Sequence, residues 1–156
     1  MTTFEIVLEI SKGLLTPTIG AVGVYIAWQQ QKSNQLRLKL DRYDRRLAIY
    51  VEVKKILSII ARDAAVSTEE LLKFISSVAE ADFLFGPEIS QYVDEIYRRG
   101  LNLWRRNTEY KERAQARSAQ YDHDKVVSEM NRELEWLTEQ FEPAKQRFRK
   151  YLDISD

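Results

Sequence analysis

The sequence predicts an all-α protein, with an N-terminal transmembrane helix continuing into a long helix of an antiparallel cytoplasmic helical bundle. Three observations carry this expectation. Apolar residues recur at steps of three and four and nowhere alternate over a useful length. Five Gly and three Pro in 156 residues are few for a β-rich chain, which needs a turn every dozen residues. Residues 13–31, nineteen in all, contain no Asp, Glu, Lys, Arg or His, close to the roughly 20 residues a single span requires.

The uncharged run centres on Leu14–Trp28, with Ile19, Val22, Val24, Tyr25 and Ile26 inside it. Tyr25 and Trp28 lie where an aromatic belt meets headgroups, and Lys32, Arg37, Lys39, Arg42, Arg45 and Arg46 follow. The positive-inside rule then places the N-terminus outside and the rest in the cytoplasm. The expected division is residues 1–31 as a single-span membrane anchor and residues 32–156 as the helical bundle, in a bacterial inner membrane. A cleaved signal peptide would carry its basic residues before the apolar run, not after it. Thr16, Gly20, Gly23 and Ala27 are spaced +4, +3, +4, which gathers small side chains on one helical face. In lipid such a stripe lets helix backbones approach, so it predicts packing against another copy.

Net charge is zero, with 24 Lys+Arg against 24 Asp+Glu, which argues against a globally basic nucleic-acid binder. The charge is nevertheless segregated. Residues 32–62 hold nine basic against three acidic residues, and residues 63–156 hold 14 basic against 19 acidic. The basic segment adjoins the anchor and suits anionic lipid headgroups. Through it run Leu36, Leu40, Tyr43, Leu47 and Tyr50, then Val53, Leu57 and Ile60, a heptad-like seam predicting a helix that reaches about Arg62.

Ser67 followed by Glu70 is a capping box, predicting a second helix to about Glu80 with Leu71, Leu72, Ile75 and Val78 inward. Residues 82–87, Asp-Phe-Leu-Phe-Gly-Pro, read as a hydrophobic turn. A third helix is expected from about Glu88 to Arg117, its apolar side carrying Ile89, Tyr92, Val93, Ile96, Leu103 and Trp104. Gly100 inside it implies a kink or close packing. After a polar connection over residues 117–124, the last helix carries Val127, Met130, Leu134, Leu137, Phe141, Phe148 and Leu152. Pro143 should kink or restart it near Glu142.

Chemistry-bearing patterns are sparse. The absence of cysteine excludes disulfides, zinc-thiolate sites and thiol nucleophiles. Glycine loops for phosphates are missing, and His123 has no second His or Cys to join it. No cofactor and no metal is therefore expected. Arg117-Ser-Ala-Gln-Tyr-Asp-His123 is similar to the R-x4-6-H signature of the HEPN superfamily of all-helical, metal-independent ribonucleases. That resemblance implies His123 as general base on a 2′-hydroxyl and Arg117 as the cation facing the phosphorane, with RNA as the partner. HEPN ribonucleases often carry Asn or Asp at the position of Ser118.

Residues 40–50, Leu-Asp-Arg-Tyr-Asp-Arg-Arg-Leu-Ala-Ile-Tyr, resemble small bacterial proteins with one N-terminal span and a helical cytoplasmic domain. Phe83-Leu-Phe-Gly86 and Phe148-Arg-Lys-Tyr-Leu152 fit the same group. The architecture is also similar to the HEPN-like, membrane-anchored ancillary protein of type VI-B CRISPR systems. The resemblance implies assembly in the membrane and a place in antiphage defence. Three functional expectations follow: a homo-oligomeric membrane effector, a HEPN-like ribonuclease, or a membrane scaffold recruiting a soluble partner.

Overall fold

Six α-helices, and no strand, make up the described residues: α1 Thr3–Asp63, α2 Thr68–Ser77, α3 Ala81–Leu84, α4 Pro87–Ala116, α5 His123–Thr138 and α6 Phe141–Arg149. The computed structural model describes residues 3–116 and 122–153, with side chains for 19–112 and 122–153. The all-α expectation holds. The chain divides into two compact units, Met1–Asp41 and Arg42–Asp156.

In the N-terminal unit every described side chain, from residue 19 to 41, is exposed. Among the described residues no helix is long and apolar enough to cross a membrane. The transmembrane part of the expected fold therefore has no support there. The expected span begins at Gly13, and the side chains of residues 13–18 lie outside the described ones.

In the C-terminal unit, packing follows from capping and periodicity. α1 ends at Asp63, as its seam predicts, and Ala64 takes a left-handed conformation with φ of 50°. That position usually falls to glycine after a helix. The capping box closes α2: the Ser67 hydroxyl accepts from Glu70 N–H at 3.2 Å, and the Glu70 carboxylate accepts from Ser67 N–H at 2.8 Å. Each bond satisfies a backbone donor that the first turn leaves unpaired. α2 stops three residues before the expected Glu80, and residues 81–84 form the helical turn α3 where a plain turn was expected. Pro87 opens α4, where its missing N–H is no loss. Asp122 caps α5 by accepting from Lys125 N–H at 3.0 Å. The last helix restarts as expected: α5 ends at Thr138, and Pro143 sits in the first turn of α6.

The helices run alternately. Arg99 reaches Glu133 and Arg106 reaches Glu129, so rising numbers on α4 meet falling ones on α5. Arg45 meets Glu80 while Glu52 to Ile59 share a groove with Glu70 to Phe74, which sets α1 antiparallel to α2. The core takes Val53, Leu57 and Ile60 from α1, Leu71 and Phe74 from α2, and Ile89, Val93, Ile96 and Leu103 from α4. Leu137 of α5 and Ala144 and Phe148 of α6 close it. Leu72, expected inside, is 59% exposed. The buried stripe of α2 is Leu71 and Phe74, continued by Val78 at its C-cap, at steps of three and four, and Leu72 falls off it. On α5, Val126 is buried and the expected Val127 half-buried. Gly100 marks close packing: a Cβ there would sit 2.7 Å from Leu71 Cδ2.

Candidate functional site

The N-terminal unit holds a continuous run of apolar residues that burial within the fold does not account for. Ile19, Val22, Val24, Tyr25, Ile26 and Trp28 are between 46% and 72% exposed. They cover the helix except for the face that Gly20, Gly23 and Ala27 occupy, so no polar stripe interrupts residues 19–28, a distribution that in folded proteins goes with burial in a large core or in lipid. The rings of Tyr25 and Trp28 approach to 6.4 Å, and Lys32 Nζ lies 5.6 Å from the Trp28 ring. A Cβ added to Gly20 or Gly23 would meet nothing within 4 Å, so no contact among the described residues requires glycine at either position. Ala27 is exposed, and the Thr16 side chain lies outside the described residues.

The six expected basic residues separate into two kinds. Lys32, Arg37 and Lys39 are exposed in the N-terminal unit, as is Arg42 in the C-terminal unit. Arg45 pairs with Glu80 at 3.5 Å. Arg46 is a packing residue: its Nε donates to the Leu84 carbonyl at 2.9 Å and its Nη1 to the Tyr151 carbonyl at 3.1 Å. Its guanidinium also lies over the rings of Phe85 and Tyr151. Of the expected seam, Leu36 and Leu40 are 57% and 43% exposed, Tyr43 and Leu47 are half-buried, and Tyr50 packs 5.4 Å from the Phe148 ring.

His123 opens α5, exposed, with its ring 5.6 Å from Tyr110. Arg117 lies outside the described residues, so the Arg117–His123 pair is not placed.

Two clusters in the C-terminal unit escaped sequence reasoning. Arg99 bonds Glu95 at 2.6 Å and the buried Glu133 at 3.1 Å, and stacks 4.2 Å from the Trp136 ring. Glu95, Arg98, Arg99, Asn102, Arg132 and Glu133 line an open cleft of about 490 Å³ between α4 and α5. Its arginines are already paired with its two carboxylates. Here the i, i+4 spacing of Glu95 and Arg99 was visible in the sequence, but the partner on α5 was not. The second cluster fastens the C-terminal segment. Glu88 accepts from Lys150 and from the Tyr151 hydroxyl, the latter at 2.6 Å, and Gly86 N–H donates to that hydroxyl at 3.1 Å. Lys150 first, and Tyr151 second, hold the Glu88 carboxyl down at about 2. Burial pushes the Tyr92 phenol up to about 12, its hydroxyl donating to the Gln140 carbonyl at 3.3 Å.

Comparison with protein-family models, curated proteins and solved structures finds no match to this chain. The class defined by the described residues is an all-helical protein with a packed C-terminal unit and an exposed apolar N-terminal one. The functional reading rests on the chain's own residues.

Proposed function

We propose that the chain is a single-pass membrane protein of a bacterial inner membrane that self-associates and acts by assembly rather than by chemistry. A membrane-perturbing or pore-forming role in antiphage defence fits that mode of action. One observation carries the reading. Residues 13–31 hold no charge, and the described part of that run exposes Ile19, Val22, Val24, Tyr25, Ile26 and Trp28 on all but the small-residue face of the helix. Burying apolar surface is worth about 25 cal/mol per Å², so such a segment is held in water only at substantial cost. The aromatic pair Tyr25 and Trp28, followed by Lys32, Arg37 and Lys39, is the residue order of a membrane interface with its positive side inward.

Self-association is supported by Gly20 and Gly23. Glycine weakens a helix interior by about 1 kcal/mol relative to alanine, and neither glycine accommodates a neighbour among the described residues. Close approach of a second helix in lipid supplies a reason for both. The test is chemical crosslinking of the full chain in membranes. Wild type is expected to give discrete oligomers and Gly20→Leu/Gly23→Leu mainly monomer. Monomer in both, or identical ladders, contradicts the assembly reading.

A further inference from the structure

We infer that the side of α1 carrying Tyr25, Trp28, Lys32 and Lys39 is a recognition stripe for anionic phospholipid headgroups. This rests on the membrane reading above and names the lipid class that the same segment selects. The four residues step by three, four and seven, which places them along one side of a helix. Tyr25 and Trp28 are 61% and 60% exposed, and Lys32 and Lys39 are exposed as well.

The chemistry changes along the stripe in the order that a bilayer interface changes. Tyr25 and Trp28 have an apolar body and a polar edge, which suits the boundary between acyl chains and headgroups. One turn further, about 6 Å along the axis, Lys32 Nζ reaches back to 5.6 Å from the Trp28 ring. A lysine so placed lays its methylenes along apolar surface and holds its ammonium at headgroup level. Lys39 lies two turns beyond, about 10 Å, on the water side of the same line.

Charge selects the occupant. From Ile19 to Leu40 the chain carries Lys32, Arg37 and Lys39 and no Asp or Glu. A zwitterionic surface offers this segment no net attraction, whereas an anionic one attracts each cation near it. The pairing of basic with apolar and aromatic groups points to a lipid surface rather than to a free phosphate, which would use the cations alone.

The experiment is flotation of the full chain with vesicles of phosphatidylcholine alone or with about one quarter phosphatidylglycerol. Anionic vesicles are expected to bind more strongly, and Lys32→Gln/Lys39→Gln to remove about 30-fold of that preference, at about 5-fold per lysine. Lys32→Arg/Lys39→Arg should retain it. Inorganic phosphate should compete no better than chloride at equal ionic strength. Equal binding to both vesicle types overturns the stripe while leaving the anchor intact. Binding to neither overturns the membrane reading itself. An anionic preference that the glutamine variant keeps, or that inorganic phosphate abolishes, overturns the assignment to these lysines. Tighter capture of single-stranded RNA than of anionic vesicles overturns the lipid as occupant.

Discussion

Gly100 and Gly20 are the same residue in helices of opposite circumstance. At Gly100 a single added carbon would collide with Leu71 of the neighbouring α2, at 2.7 Å, whereas at Gly20 it would meet nothing within 4 Å. The contrast extends to the units that contain them. In the C-terminal unit the apolar stripe of α1 is covered by other helices of the chain, with Val53, Leu57 and Ile60 each fully buried, and Leu72 and Phe83 are among the few large apolar side chains left exposed. In the N-terminal unit Ile19, Val22 and Ile26 recur at comparable spacing on the same helix α1 and stay exposed. Periodicity alone therefore fixes which residues share a face, and what covers that face is a separate matter.

The largest effect that separates the units comes from truncating core side chains. Leu57→Ala or Phe148→Ala should destabilise the C-terminal unit by about 3–5 kcal/mol, as buried large-to-small changes do. Ile26→Ala should leave unfolding of that unit unchanged; both outcomes are read by chemical denaturation in detergent. A loss at Ile26 similar to that at Leu57 would break the contrast. The glycines give the next test. Gly100→Leu forces extra carbons against Leu71 and should cost up to about 3 kcal/mol. Gly20→Leu should leave the denaturation midpoint unchanged and act only on crosslinked oligomers.

Acid gives a smaller effect with a defined sign. The Glu88 carboxyl titrates at about 2 in the folded chain, against an ordinary 4.5. Its ionised form is thus the one the fold favours, through Lys150 and Tyr151. The stabilisation is complete above about pH 4.5 and is lost as pH falls towards 2. Glu88→Gln should lower the melting temperature at pH 7, and the gap from wild type should narrow across that acid window. A gap that does not vary with pH would contradict the role given to the Glu88 charge. The smallest effect is a gain. Ala64 holds φ at 50°, and Ala64→Gly should stabilise by about 0.5–1 kcal/mol by relieving the Cβ contact. Unchanged or lower stability by thermal melting would argue against that strain.

Much of the C-terminal unit was legible because its signals are local. The Ser67–Glu70 box, the end of α1 near Arg62 and the restart around Pro143 each follow from residues within a turn or two of one another, whereas at Gly100 the sequence left a kink or close packing open, because its neighbour Leu71 lies on α2. Leu72 was misplaced because a run of adjacent apolar residues, Leu71-Leu72, leaves the phase of a short helix open until Phe74 and Val78 settle it. Arg46 was read as a membrane-proximal cation, yet its acceptors are backbone carbonyls at positions 84 and 151. A carbonyl is present at every residue and leaves no trace in sequence. The Arg99–Glu133 pair was hidden for a related reason, joining two helices across 34 positions. Of the candidate site, the aromatic–cationic order of Tyr25, Trp28 and Lys32 was fully legible, because helical spacing alone sets it.

The central claim is that the uncharged run of α1, residues 13–31, is held in a bilayer, and alkaline carbonate extraction of membranes from cells making the full chain tests it most directly. Wild type is expected to stay with the membrane pellet, and Val22→Lys/Ile26→Lys to pass into the extract. Wild type released into the carbonate extract would contradict the claim.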